Sequence, residues 1–479
     1  MAALIKRINT IIIAMFSVLL LQSQNISFST NTVDDNFDGP GGIFMSDINA
    51  DGFKDIIAAG IDANTIAWWK NDGTNQEIWE KHIIVEGFSG AMYVSAADID
   101  NDGLFDVLGA AYNGNEIAWW HNDGGDTIQW TKQTLDSEFL HAHEIMAYDI
   151  DKDGDMDVLG VSAGLNVITW YENDGNYPVS WIRHVIAISF AGARSVDAGD
   201  IDGDGDIDIA GAALDDNEVA WWRNDGGYPI EWTKFSINTN FMLSHKVQIS
   251  DIDLDGDNDI LGTAYSSGIS WWRNDGGDTI SWEKQYVSGN NSLVIAWAVD
   301  LDLDTDMDII GSAQNSGYIA FWENEGNNSL DWDFNYMENF EGAWPLYYGD
   351  LDNDGDDDLV CGGRDANEIR WYRNDVLTKL DDGINTTYKT LGLRCYPTPA
   401  NKELNIDYEL NSSSAVKIQI FDLTGKLIAD LIDIEQLRGN HSTIWKRTDN
   451  KGDMVQPGIY FCRLQSKYNS IVRKVILVN

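Results

Sequence analysis

Aspartates recur along this chain at alternating positions of a nine-residue motif, D-x-D-x-D-G-x-x-D, a pattern suited to holding a hard divalent cation. Carboxylate oxygens at positions one, three, five and nine can converge on one ion if the backbone turns sharply, and a glycine at position six permits that turn. The candidate ligands are Asp47, Asn49, Asp51 and Asp55 in the first copy, then Asp98, Asp100, Asp102 and Asp106, and Asp149, Asp151, Asp153 and Asp157. They continue with Asp200, Asp202, Asp204 and Asp208, with Asp251, Asp253, Asp255 and Asp259, and with Asp300, Asp302, Asp304 and Asp308. Asp350, Asp352, Asp354 and Asp358 complete the set. Calcium is the expected ion, at several structural sites. An EF-hand would add a glutamate at position twelve, but that place holds Ala58 in the first copy and Gly109 in the second, so no flanking helices are required. Two loops depart from the motif: Asn49 replaces the third-position aspartate of the first, and Thr305 the glycine of the sixth. Weaker binding is expected at both.

The elements that position these loops follow from their spacing. The first aspartates lie 51, 51, 51, 51, 49 and 50 residues apart, and so regular a period at this length implies a repeat architecture. After each ninth-position aspartate comes a short β-prone apolar run, such as Val107-Leu108-Gly109-Ala110 or Ile209-Ala210-Gly211-Ala212. An aromatic strand follows, Ile66-Ala67-Trp68-Trp69 or Val219-Ala220-Trp221-Trp222, closed by an Asn-Asp-Gly turn. A fourth strand begins at Trp79, Trp130, Trp181, Trp232, Trp282 or Trp332. Four strands per repeat make a propeller blade, so the expected fold is all-β: a seven-bladed β-propeller followed by a small C-terminal β-sandwich. The seventh repeat runs out after Asn374-Asp375 with no such tryptophan, whereas Phe28 precedes Asp47 by the same 19 residues that separate Trp79 from Asp98. The N-terminal strand is therefore expected to complete the last blade and remove the open edge.

Composition bounds the partners. The formal net charge is −47, from 78 acidic against 31 basic residues, which argues against nucleic-acid binding. From Leu391 onward there are 12 basic and 9 acidic residues, a net +3, so the preceding part carries −50. The loop ligand positions supply 27 carboxylates, whose mutual repulsion bound cations would relieve. Millimolar calcium is an extracellular condition, and the N-terminus agrees: Lys6 and Arg7 precede an apolar run from Ile11 to Leu21 and then polar Gln22-Ser23-Gln24. Residues 1–24 read as a secretory signal peptide, with a membrane anchor as the alternative, and no transmembrane segment is expected in the mature chain. Cys361 falls in an apolar strand, while Cys395 and Cys462 either pair or remain thiols.

Residues that break the repeat are where specific function is sought. Six positions before each loop stand Gly41, Met92, His143, Arg194, His245, Val294 and Trp344. A purely structural position would hold similar small or apolar residues in every blade. His143, Arg194, His245 and Trp344 are expected to converge near the axis, with His141, Glu144 and Lys246 close by. Such a ring suits an acidic sugar held by cations and aromatic stacking, or proton abstraction by a neutral histidine; the plainer reading is a polar plug in the channel mouth. Glu116, Glu218 and Glu368 would offer carboxylates for glycoside hydrolysis, but their shared Asn-Glu-[Ile/Val] context reads as strand entry. The Trp-Trp strands recur in every blade and read as packing.

The repeats resemble the FG-GAP/VCBS family over Phe28 to Asp375, in the seven in-register loops just described. The resemblance implies a calcium-bearing β-propeller of the kind found in integrin α heads. The C-terminal part, with Tyr396-Pro397-Thr398-Pro399, Phe421-Asp422-Leu423-Thr424-Gly425-Lys426, Gly458-Ile459-Tyr460-Phe461 and the Lys474 tail, resembles the type A sorting domain of the type IX secretion system of Bacteroidota. That family usually has Asn where Thr398 stands. The resemblance implies export across the outer membrane, contact with the type IX machinery, and cleavage of the tail. The expected organisation is a signal peptide at 1–24, propeller at 25–376, linker at 377–391 and sorting domain at 392–479. The favoured function is a secreted or outer-surface, calcium-stabilised recognition or adhesion module binding extracellular carbohydrate or protein. One alternative is a secreted polysaccharide lyase using His143 or His245 as base and Arg194 to neutralise a uronate; another is a purely structural adhesin. The chain lacks a Ser-His-Asp motif, P-loop or dinucleotide fingerprint, which disfavours other enzyme classes.

Overall fold

The apolar runs that follow the ninth-position aspartates form six-residue strands in which every residue is buried, Asp55–Gly60 and Asp106–Ala111 being the first two. Short β-prone segments buried on both faces cannot lie at a surface, so they become the second strand of each blade, flanked on both sides. A computed structural model of the protein describes residues 26–376 and 392–477, apart from 75–78, 126, 177, 277–279, 290–291, 325–331, 397–401, 403, 411–413, 423–425, 438, 453 and 466–469. The expected signal peptide and linker lie outside the described residues, as do 397–400 of the Tyr-Pro-Thr-Pro run and 423–425 of the Asp-Leu-Thr-Gly turn. The chain divides into two compact units, 1–379 and 380–479.

Among the described residues the first unit shows seven four-stranded antiparallel sheets. Six are built from consecutive strands, as in Pro40–Ser46, Asp55–Gly60, Thr65–Lys70 and Glu80–Glu86. The seventh joins Ala343–Gly349, Asp358–Gly363 and Glu368–Asn374 to the N-terminal strand Phe28–Asp34, with Phe28 opposite Asn374 and Asn31 opposite Trp371. First strands touch first strands around the ring, and Ala343–Gly349 touches Pro40–Ser46, so the array closes into a propeller. At the first junction a Cβ on Gly42 would lie 2.8 Å from the Tyr93 Cα, an approach that requires glycine.

Adjacent blades pack through the aromatic third strands. Trp69, Trp120, Trp222 and Trp272 each meet the edge of a phenylalanine, from Phe37, Phe88, Phe190 and Phe241, at centroid distances of 4.9–5.1 Å. Such edge-to-face pairs add about 0.5–1.5 kcal/mol each beyond area burial. The recurring tryptophans are packing residues.

The second unit is a sandwich of a three-stranded and a four-stranded sheet over a core that includes Leu404, Ile406, Ile418, Ile420 and Trp445. All three cysteines are thiols. Cys462 sits beside Cys395, and their hydrogen bond together with burial pushes the Cys462 thiol far up.

Candidate functional site

Each acidic loop winds around its first aspartate. In the second loop Asp98 Oδ1 accepts from the Asp102 N–H at 3.0 Å and Oδ2 from the Gly103 N–H at 2.9 Å. The same pair of bonds forms at Asp47 and Asp251. The sixth-position glycines have φ between 91° and 105°, and Thr305 is held at +82° in their place. The ninth-position aspartates are buried staples: Asp55 accepts from the N–H groups of Ile48 at 3.0 Å and Asn71 at 2.7 Å, and Asp106 from those of Ile99 and Asn122. These bonds fix the loops and the Asn-Asp-Gly turns side by side on one face.

Carboxylate oxygens of Asp98, Asp100 and Asp102, of Asp149, Asp151 and Asp153, and of Asp251, Asp253 and Asp255 lie within 4.8 Å of one another in each loop. The ninth aspartate joins the cluster in Asp200, Asp202 and Asp208. Buried oxygens of Asp100, Asp149, Asp253, Asp300 and Asp354 have no hydrogen-bond partner. An unpartnered buried carboxylate oxygen is costly, and a calcium ion is the partner these oxygens fit. Positions one, three, five and nine would hold it, where it would cross-link the loop and offset the acidic charge.

At the other end of the first strands every blade carries a β-bulge. The register shifts between residues 40 and 42, 91 and 93, 142 and 144, 193 and 195, 244 and 246, 293 and 295, and 343 and 346. The bulged residues are the repeat-breaking set, from Gly41 and Met92 through His143, Arg194 and His245 to Val294 and Trp344. A bulge re-aims the extra side chain. Here Gly41, Met92, His143, Arg194, His245 and Trp344 line one cavity of about 20 Å³, together with Ile295 rather than Val294.

His143 and His245 are 5% and 4% exposed, with ring centroids 5.9 Å apart, and His245 lies 6.0 Å from Trp344. Burial first, then the Arg194 charge, holds His143 well below the ordinary histidine range and His245 down to about 3, so both rings are neutral at physiological pH. His245 Nδ1 donates to the Val294 carbonyl at 3.0 Å, because a carbonyl only accepts, which leaves Nε2 as the acceptor. The His143 N–H is engaged by the Arg194 main-chain carbonyl, which leaves its other ring nitrogen buried without a partner, and Arg194 Nε is buried and unpartnered.

Three matches to the FG-GAP-like repeat family cover residues 47–109, 98–160 and 149–211, each running from one loop into the next, and the secretion system C-terminal sorting domain matches residues 394–478. The chain carries FG-GAP-like repeats and a type IX sorting domain. That tail marks the FG-GAP protein as secreted or cell-surface and implies contact with the type IX secretion machinery. Among the described residues no helix is long and apolar enough to cross a membrane. No curated protein matches the chain in sequence. Among solved structures it is similar to BBS1N in complex with ARL6DN, soaked with lead, at 12% identity and a TM-score of 0.50, covering 73% of this chain and 97% of that one; this is a likeness of fold alone. It is also similar to PorZ, a bacterial surface component of the type-IX secretion system of Porphyromonas gingivalis, at 13% identity and a TM-score of 0.44, covering 93% of this chain and 60% of that one.

Of the other expected residues of the FG-GAP propeller, Lys246 and Glu144 line the same cavity but pair with each other, Nζ to Oε1 at 2.8 Å, with the ammonium 4.6 Å from the Trp297 ring centroid. His141 stacks on Tyr112 at 4.5 Å and is not among the cavity-lining residues. Glu116, Glu218 and Glu368 are held by Lys132, Lys234 and Arg370 of their own blades at 2.7–2.8 Å, which makes them strand-entry residues.

Two features escaped sequence reasoning. Arg364 lays its guanidinium over Trp344, 5.3 Å from the ring centroid. In several blades the residue before the Asn of the Asn-Asp-Gly turn reaches its own acidic loop: His121 Nδ1 lies 3.2 Å from Asp100, Arg273 Nε 3.0 Å from Asp253, and Lys70 3.5 Å from Asp51. The signal for these was present as Lys70, His121, Arg223, Arg273 and Arg373 at one repeat position, with Glu172 and Glu323 in the other two blades.

Proposed function

We propose that this secreted or cell-surface FG-GAP propeller is a calcium-stabilised recognition module whose axial face binds an extracellular ligand, carbohydrate in preference to protein. The observation that carries this reading is the bulge ring. In seven otherwise similar blades the bulged position alone gathers two neutral histidines, an arginine and a tryptophan around one cavity. Calcium is supported by the buried carboxylate oxygens that lack partners. Residues 25–376 act as the exported passenger and residues 392–479 as a tail removed after export.

A second reading is favoured by one observation. Two imidazoles held neutral beside Arg194 are in the protonation state required of a general base, as in elimination from a uronate.

The test uses the full chain in calcium, with a panel of acidic and neutral polysaccharides. Retention on immobilised glycans and ultraviolet absorbance from unsaturated products are recorded together. Retention without product is the expected result. Product lost in His143→Ala or His245→Ala replaces the recognition reading with the lyase, and absence of both signals overturns carbohydrate recognition.

A further inference from the structure

The axial cavity has a definite hydrogen-bonding character. Its donor is the Arg194 guanidinium, with Nε buried and unpartnered, since the single N–H of neutral His143 is engaged by the Arg194 main-chain carbonyl. Its acceptors are the other His143 nitrogen and His245 Nε2, since His245 Nδ1 is engaged by Val294. Glu144, the carboxylate that lines the cavity, is paired with Lys246, which lines it too, and also accepts from the Val196 N–H at 3.1 Å, so its charge is offset within the site. A buried polar atom without a partner is costly, and Arg194 Nε and the free His143 nitrogen belong to residues that line one space.

A cavity of about 20 Å³ has room for one water-sized group and for no sugar ring, so only the tip of a ligand enters it. A bare cation is repelled by Arg194. A simple carboxylate satisfies the donors and leaves the imidazole acceptors idle. A carboxylate oxygen at the tip of a ligand that also carries a hydroxyl at the mouth satisfies both, the carboxylate accepting from Arg194 and the hydroxyl donating to a free imidazole lone pair. Arg364 adds a second positive charge beside Trp344. The acidic loops lie at the opposite ends of the same strands, as Ala142–Tyr148 shows by running from its bulge beside His143 to the loop at Asp149. Their repulsion is therefore directed away from this site.

We infer that the axial bulge ring is a sugar-acid subsite, in which Arg194 binds the carboxylate of a uronic acid unit while its ring stays at the cavity mouth and one of its hydroxyls donates to a free imidazole nitrogen there. This deepens the recognition reading and rests on it. The donors bind and orient the acid; no bond is made or broken.

The test is calorimetric titration of the calcium-loaded full chain with glucuronate and galacturonate, with glucose as the neutral counterpart and acetate as the carboxylate lacking a hydroxyl. The sugar acids are expected to bind at least about tenfold more tightly than either reference, since only they bring both a charged acceptor for Arg194 and a hydroxyl donor. Arg194→Gln is expected to weaken the sugar acids about tenfold or more without changing glucose, whereas His184→Gln, on an outer strand, changes neither. Arg194→Lys, which keeps the charge but loses the fork, should bind with intermediate strength and guards against a folding defect in the first variant. A uronate oligomer binding as well as the monomer identifies a polymer as the source, and monomer binding alone identifies the free acid; both support the subsite. Equal binding of glucose and glucuronate, or affinity unchanged in Arg194→Gln, overturns it. Polysaccharide retention that survives Arg194→Gln overturns the subsite and leaves the recognition reading standing, whereas absence of retention on any glycan overturns that reading first.

Discussion

The side-chain amide of Asn71 donates to the Leu351 carbonyl at 2.7 Å, joining the first blade to the seventh across the seam of the ring. The same bond runs from Asn122 to Ile48, Asn173 to Ile99, Asn274 to Ile201 and Asn374 to Leu301, at 2.8–2.9 Å. Asn71 also donates its main-chain N–H to Asp55 and accepts from the Gly73 N–H, so one residue closes a turn, fixes a loop and ties two blades. Replacing Asn71 with Ala strands the buried Leu351 carbonyl and is expected to cost about 1–3 kcal/mol. Chemical denaturation of the full chain measures this, and an unchanged midpoint would show that the seam does not depend on the bond.

Thr305 occupies a left-handed position, φ +82°, that glycine fills in the other six loops. A β-branched residue is strained there. Thr305→Gly is therefore expected to stabilise the protein by about 1 kcal/mol or more despite the added freedom of the unfolded chain, and to strengthen cation binding at the sixth loop. A lower melting temperature for this variant would contradict the assignment of strain.

The Lys246 and Glu144 side chains are 3% and 2% exposed and pair from strands 102 residues apart. Removing one partner leaves a buried charge alone, so Lys246→Met is expected to cost about 3–5 kcal/mol. The double variant Lys246→Met with Glu144→Leu should recover most of that loss. Equal destabilisation by the single and double variants would show that packing, rather than the pair, is at stake.

Burial raises the ninth-position carboxyls above the ordinary aspartate value, to about 8 in Asp55, Asp308 and Asp358 and about 7 in Asp106, Asp157, Asp208 and Asp259. Their folded-state values exceed the unfolded one, so in metal-free protein their contribution to stability is full below about pH 4 and is lost as pH rises through 7–8. Calcium competes with those protons, so the stabilisation it confers should grow over the same interval. Melting curves in chelator and in calcium at pH 5 and pH 8 test this; a larger calcium increment at pH 5 would count against it.

The repeat, the blade strands and the ring closure were legible because each is written locally. Val107-Leu108-Gly109-Ala110 has one buried solution, the Trp-Trp strands end at a recognisable turn, and Phe28 keeps the spacing of Trp79. The convergence of His143, Arg194, His245 and Trp344 was legible as a break in the repeat, although the bulges that aim them were not, because a bulge is set by register with the next strand. The pairing of Lys246 with Glu144 was hidden for a different reason: the two meet only when the ring closes, and nothing near either residue names the other. Arg364 over Trp344 is likewise a contact between a connection and the bulged first strand of one blade.

Calcium dependence is the most direct test of the proposed role of the loops. The full chain, purified in calcium and dialysed against metal-free buffer, would be assayed for bound metal and then melted with and without EGTA. Several calcium ions per chain are expected, with a fall of many degrees in melting temperature on chelation, since a site saturated a hundredfold above its Kd contributes about 2.7 kcal/mol. A chain that carries no metal and melts identically in EGTA would contradict the calcium-stabilised propeller.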